Sequence, residues 1–533
     1  MEVFTIASKK AAAAATETAK ETEPKKKPVR KKAAAKPAVD TVKPQLKILF
    51  AASECVPFVK TGGLADVMGA LPQEIAKLGA DVRVILPLFR EVPDAFRHSA
   101  ADGNVSPAGR MRHAVDFEVE MGWRRQYCGI EALEMNGVTY YFVDNRYYFN
   151  RSYIYGSGGD EAERFAFFCR AVLNALQPLG WKPDIIHAND WQAGFIPALL
   201  EIQYAHLPFY ANIKTVMSIH NLQYQGVFDR RAVQDLLGLG DSLFTDDKLE
   251  FFGCANFLKA GLIYADYITT VSPGYAEEIQ TAFFGEKLDG LLRARHETVS
   301  GVLNGIDVER NNPATDKVIA ETFTAEDPAG KAKCKAALQA ELGLAQDADA
   351  PVIAMITRLT SQKGLDLVDR VISEIMETGA QFVILGKGDA KYTSLFSWAQ
   401  CNWQGRVAAR FEMNIDLAQK IYAGADMFLM PSLFEPCGLS QMISMRYGTI
   451  PIVRETGGLR DTVLSLNEFT LEGSGFTFFS YNAHDMLEVI RRAVSYYKDK
   501  PEVWRKLVER GMTADFSWKK SASEYLSIYN KLT

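Results

Sequence analysis

The sequence has 533 residues, too long for one ordinary core, so about two or three domains are expected. Nearly half the residues are apolar and 23% are charged, a globular composition rather than a fibrous or membrane-embedded one. The net charge of −5 conceals a split: residues 1–46 hold eleven Lys/Arg against five Asp/Glu, leaving about −11 for the rest, which argues against a general nucleic-acid surface. The seven cysteines are scattered, odd in number and without a CxxC pair, which fits a reducing compartment. No apolar run reaches the roughly eighteen residues of a membrane span and Met1 is not followed by a signal-like core, so the expectation is a cytoplasmic protein with no membrane partner.

Residues 1–45 are rich in Ala, Lys, Pro, Glu and Thr and read as a disordered basic tail, with Lys25–Lys27 and Arg30–Lys32 solvated. A transit peptide fits less well, because Glu17, Glu21 and Glu23 interrupt it. From Leu46 strand-like runs follow at Lys47–Ala52, Val82–Leu86, Thr139–Val143, Asp184–His187, Lys214–Ile219 and Tyr267–Val271. Helix-like segments lie between several of them, at Leu64–Leu78, Ala162–Leu176 and Trp191–Tyr204, and this alternation predicts a parallel sheet covered on both faces, domain 46–297. The charged stretch Phe283–Thr298 and the turn signal Asn304-Gly305 set the junction. A second α/β cycle, domain 298–510, has strand-like runs at Val352–Ile356, Phe382–Leu385, Val407–Phe411, Met427–Met430 and Ile450–Val453. The chain from Val503 onward reads as helical, with Phe516, Trp518, Tyr525, Ile528 and Tyr529 on one stripe, and its end, 511–533, must dock on a finished domain.

Lys60-Thr61-Gly62-Gly63-Leu64 follows the first strand and opens a helix, so its amides and lysine suit an anion; Thr456-Gly457-Gly458-Leu459 repeats the pattern. In an open parallel sheet ligands bind at the carboxyl ends of strands. His187, Asn189, Asp190 and Trp191, then His220 and Asn221, follow strands of the first domain; Arg358 with Lys363, and Glu435 with Cys437, follow strands of the second. Taken singly, His187 reads as a hydrogen-bonded structural histidine, Cys437 as a small residue in a packed turn, and Gly386-Lys387-Gly388 as a tight turn. No metal-ligand spacing is present, and neither a G-x-G-x-x-G nor a P-loop fingerprint occurs at these loops. Two cations, two glycine cradles and a carboxylate describe a site for a nucleoside diphosphate carrying a polyhydroxylated group.

Lys60-Thr-Gly-Gly-Leu-Ala-Asp-Val67, His187-Ala-Asn-Asp-Trp191, His220-Asn221, Asn304-Gly-Ile-Asp307, Arg358-Leu-Thr-Ser-Gln-Lys-Gly364, Pro431-Ser-Leu-Phe-Glu-Pro-Cys-Gly-Leu439 and Thr456-Gly-Gly-Leu459 resemble the bacterial glycogen synthases and plant starch synthases, in order from about Lys47 to the C-terminus. The resemblance implies two Rossmann-like domains around a central cleft, the B-type glycosyltransferase fold, with a C-terminal helix crossing back to the first domain. It implies glucose transfer from ADP-glucose to the non-reducing end of glycogen or another α-1,4-glucan with retention, without a metal or other cofactor. By the same resemblance Arg358 and Lys363 stabilise the leaving diphosphate, assisted by Thr456, Gly457 and Gly458. Glu435 binds the glucose hydroxyls with Cys437 beside it; His187 sits against the glucose, Asp160 lies on the acceptor side, and Lys60, Gly62 and Gly63 touch the donor. Glu54 and Asn221 are further substrate contacts. The side chain of Asn189 stands where many bacterial members have a second histidine. The alternatives are a related retaining transferase using UDP-glucose and a non-catalytic glucan-binding homologue, although a homologue without activity would be expected to have lost Lys60, Arg358, Lys363 or Glu435. Oligomeric state is not readable from these residues.

Overall fold

The computed structural model describes residues 45–97, 109–156 and 159–533; the basic tail expected over 1–45 lies, but for Gln45, outside them. The first sheet contains β1 (Lys47–Ala51), β2 (Asp81–Pro87), β3 (Arg112–Met121), β4 (Arg124–Met135), β5 (Val138–Asp144), β6 (Ile185–Asn189) and β7 (Lys214–Ile219). A small separate sheet is made of β8 (Val227–Asp229), β9 (Glu250–Phe251) and β10 (Cys254–Asn256), and the first sheet resumes with β11 (Tyr267–Thr270) and β12 (Val299–Gly301). Its order is β12-β11-β7-β6-β1-β2-β5-β4-β3, parallel except where β4 runs antiparallel to β3 and β5. Because β12 pairs with β11, the first sheet continues past the junction expected at 297/298.

The second sheet holds β13 (Val352–Ile356), β14 (Gln381–Leu385), β15 (Val407–Arg410), β16 (Met427–Met430), β17 (Ile450–Arg454) and β18 (Phe476–Phe478), all parallel, in the order β15-β14-β13-β16-β17-β18. These strands are short, apolar and buried on both faces, as a helix-covered parallel sheet requires. In β3, Val115, Phe117, Val119 and Met121 alternate with polar residues instead of forming a continuous apolar run, because one face of that strand is solvated.

The expected C-terminal helix is two helices, Pro501–Thr513 and Trp518–Leu532, broken at 514–517. The first packs on the helix Ser440–Arg446 in the second half; the second packs on Gly63–Lys77 in the first. The return crossing lies beside the outward one, Ile306 N–H donating to Phe516 O at 2.8 Å and Ser521 Oγ donating to Leu303 O. Two adjacent strands of chain therefore connect the halves, the arrangement of a hinge.

Candidate active site

Between the halves lies a cavity of about 1130 Å³, lined by Glu54, Tyr155, Asp190, Trp191, His220 and Asn221 on one side and by Arg358, Lys363, Glu435 and Cys437–Ser440 on the other. Lys363 reaches it because Gly364 takes φ 71° with its Cα against a carbonyl: an added Cβ would lie 2.0 Å from Pro431 O. That approach, with Leu433 N–H donating to Gln362 O at 2.8 Å, brings the loop after β13 against the loop after β16. The result is an ion pair of 2.6 Å between Lys363 Nζ and Glu435 Oε2, to which Ser432 Oγ also donates at 3.1 Å. Arg358 is exposed toward the cavity and has no ion-pair partner among the described residues. Gly386 and Gly388 support this loop rather than a ligand, Leu359 N–H donating to Lys387 O at 2.8 Å and Asp389 N–H to Leu359 O at 2.8 Å.

The two Thr-Gly-Gly loops are not open cradles. In the first, the Glu54 carboxylate accepts from Gly62 N–H (3.0 Å), from the Thr61 amide and hydroxyl, and from Tyr155 OH (2.6 Å). Gly62 and Gly63 remain at the cavity wall, whereas Lys60 pairs with Asp66 at 2.7 Å and does not line the cavity. The second loop lies beneath the Glu435 segment: Gly457, at φ 44°, would place a Cβ 2.1 Å from Glu435 O, and Gly458 one 2.3 Å from Cys437 O. Thr456, Gly457 and Gly458 are buried and outside the cavity lining, so their expected contact with diphosphate is corrected to a supporting one. Gly438, Leu439 and Ser440 line the cavity instead; the first two stand in the Pro431–Leu439 motif, where they carried no assigned role. The helix there begins at Ser440 and its first capping bond runs from Ile443 N–H to Leu439 O. The amides before it are free of that ladder, and the signal for them was a glycine placed just before a helix.

His187 is also relocated. It is 1% exposed inside β6, its Nδ1 2.7 Å from Tyr529 OH and its Nε2 2.6 Å from Ser218 Oγ, so it anchors the last helix to the sheet. Burial, with His220 nearby, lowers its pKa to about 3. The histidine that lines the cavity is His220, whose pKa burial lowers to about 4. Asn189 sets its tautomer: the Asn189 amide donates to Ala51 O and His187 O, so Oδ1 accepts from His220 Nε2–H at 2.9 Å, and Nδ1 is left as an acceptor. Asp190 has φ 54°, a conformation costly for a non-glycine residue; burial raises its carboxyl to about 7, and Oδ1 accepts from His220 N–H at 2.8 Å.

Asp160 precedes the helix Glu161–Leu176 without a side-chain capping bond, is bound by Arg151 at 2.5 Å, which lowers its pKa, and is outside the cavity lining. Cys437 lines the cavity as a neutral thiol, raised to about 12 by burial. Trp191, Tyr224, Phe228 and Phe251 add an aromatic wall on the first half, beyond the residues expected there apart from Trp191.

Two doubly wound halves around a deep cleft, with cations and a carboxylate at strand ends on one side and an aromatic wall on the other, define a glycosyltransferase of the B-type fold. Residues 47–294 match the family model "Starch synthase catalytic domain" and residues 343–509 match "Glycosyl transferases group 1". The chain belongs to the glycogen and starch synthase family and is a hexosyltransferase. It is 52% identical over 487 residues to a glycogen synthase of Geobacillus thermodenitrificans, covering 91% of this chain and 98% of that one, and 51% identical to one of Bacillus cereus, covering 91% and 100%. The catalytic domain of Arabidopsis thaliana starch synthase IV, solved with ADP and acarbose, superposes with a TM-score of 0.83 at 34% identity, covering 92% of this chain and 99% of that one. A sucrose-phosphate synthase from Thermosynechococcus elongatus, 17% identical with a TM-score of 0.56 and 92% and 99% coverage, shares the fold. No described helix is long and apolar enough to cross a membrane.

Proposed function

We propose that the donor is ADP-glucose and that glucose passes to the 4-hydroxyl at the non-reducing end of an α-1,4-glucan with retention. The observation that carries this reading is the Lys363–Glu435 pair with Arg358 beside it at the cavity. Arg358 and Lys363 hold the diphosphate, assisted by the amides of Leu439 and Ser440; no metal or other cofactor is assigned a role. Glu435, acceptor-only while ionised, receives glucose hydroxyls, and the free Nδ1 of neutral His220 receives another. The aromatic wall around Tyr224 and Trp191 carries the glucan.

A double displacement would need a carboxylate nucleophile on the opposite face of the sugar. Asp190 suits that poorly, since burial favours its neutral form and one oxygen is held by the His220 backbone N–H. The route assigned is front-face: the bond from C1 to the phosphate oxygen breaks, the glucan oxygen bonds C1 from the same side, and its proton goes to the departing phosphate. Arg358 and Lys363 stabilise the charge that grows on that phosphate.

The test compares initial rates with ADP-glucose and UDP-glucose on glycogen and reads the product anomer by proton NMR. Turnover with ADP-glucose and a new α-linkage support the reading. Faster turnover with UDP-glucose, or a β-linkage, overturns it.

A further inference from the structure

The segment Ser272–Glu278 belongs to the first half, yet several of its polar groups bond to the second. Ser272 Oγ donates to Pro436 O at 2.6 Å; Gly274 N–H donates to Asp461 Oδ2 at 2.7 Å; Arg460 pairs with Glu277 at 2.6 Å. Glu278 reaches the turn that underlies the Glu435 segment. Its Oε1 accepts from Thr456 Oγ at 2.9 Å and from Gly457 N–H at 2.8 Å, while Oε2 is buried without a partner. A half-buried carboxylate with one bare oxygen is costly to keep, and burial raises its pKa. The Thr456–Gly458 turn it holds is in contact with the sugar-side loop: Gly458 N–H donates to Glu435 O (3.2 Å) and Pro436 O (3.3 Å), and neither glycine has room for a side chain.

We propose that Glu278 is a positioning residue which, reaching across from the first half, clamps the Thr456–Gly457 turn and through it fixes the Glu435–Cys437 backbone, so that Glu435 is correctly presented only when the halves adopt this arrangement. The proposal rests on the role assigned to Glu435. Ser272 acts on the same loop through the Pro436 carbonyl, so closure is sensed at two adjacent points. Glu278 is outside the cavity lining, so its loss acts on turnover through geometry.

The test uses the full chain. With ADP-glucose and glycogen, Glu278→Ala is expected to lower kcat by about 10- to 100-fold, the scale of a misplaced reacting group. The Kd for free ADP, measured by calorimetry, is expected to stay within about twofold, because Arg358 and Lys363 are untouched. Glu278→Gln, which keeps an oxygen for Thr456 Oγ–H and Gly457 N–H, is expected to restore most of the rate. Thr456→Val, which removes one of the two bonds, is expected to lower kcat in the wild-type background and to add little to Glu278→Ala. A kcat within twofold of wild type for Glu278→Ala overturns the proposal. Equal losses for the Ala and Gln variants, or a parallel loss of ADP binding, also overturn it. Should Glu278→Ala fail to fold by circular dichroism, Thr456→Val decides: a kcat loss with ADP binding kept supports the clamp, and unchanged kcat refutes it. Wild-type turnover with ADP-glucose is the control that separates failure of the clamp from failure of the donor assignment.

Discussion

Replacing Lys363 by alanine tests the catalytic assignment at its densest point. Its ammonium sits 2.6 Å from Glu435, in a place where the two side chains are 16% and 10% exposed, so little solvent screens the charge. On the proposed route the same ammonium faces the diphosphate as charge develops on it. A preorganised donor of this kind is worth about 3–4 kcal/mol in the transition state, equivalent to a fall in kcat of about 150- to 900-fold. The deletion also leaves Glu435 without its cation, but Ser432 Oγ still donates to it and the surrounding loop is fixed by Gly364 on Pro431, so the fold is expected to survive. The assay is the initial rate of glucose transfer to glycogen at saturating donor, with circular dichroism to verify folding and Lys363→Arg as the charge-preserving comparison. Arginine is expected to recover part of the rate, since a planar fork cannot reproduce the ammonium's fit to Glu435. A folded Lys363→Ala with kcat within about tenfold of wild type refutes the reasoning.

His187→Phe removes two buried hydrogen bonds beneath the last helix, so a loss of about 1–3 kcal/mol, read as a lower Tm, is expected with kcat much less affected; a catalytic loss larger than the stability loss contradicts the anchoring role. The same histidine makes stability pH-dependent. Its folded pKa near 3 lies below the ordinary 6.5, so the unfolded chain takes up a proton first, and its stabilisation is full above about pH 6.5 and lost as pH falls toward 3. Asp190 has the opposite sign: raised from 3.8 to about 7, it stabilises below pH 4 and loses that contribution as pH rises through 7. Thermal melts of Asp190→Asn are therefore expected to show a steeper rise in stability between about pH 4 and 7, and a flatter one contradicts the assignment. Gly364→Ala combines a left-handed φ with a 2.0 Å clash, so a strain above about 1–3 kcal/mol and a displaced Lys363 are expected, read as lost activity and lowered Tm; normal activity refutes the loop's role.

What the sequence disclosed follows the physics of each signal. Strands such as β7, β13 and β16 are buried on both faces and read directly as short apolar runs, whereas β3 and β4, with one face solvated, have a weaker alternating signature. Arg358, Lys363 and Glu435 were legible because they follow strands whose ends were placed correctly. Read singly, His187 is the hydrogen-bonded structural histidine expected; the glucose contact implied by the resemblance is not available to it, because β6 extends to Asn189 and encloses the imidazole, leaving the mouth to Asp190 and, from the neighbouring strand end, His220. The Thr-Gly-Gly loops look alike in sequence, but what occupies their amides does not. Glu54 lies a few residues away and Glu278 far upstream, and only folding brings each carboxylate to its loop. Local motifs report which backbone groups are available; they do not report which protein groups claim them.

The most direct measurement of the central claim is transfer of radiolabelled glucose from ADP-glucose to glycogen, followed by digestion with β-amylase, which releases maltose from non-reducing α-1,4 ends. The structure predicts label in glycogen with wild type, its release as maltose, and near loss of incorporation with Lys363→Ala. Label that resists β-amylase, or no incorporation by the folded wild-type chain, would contradict it.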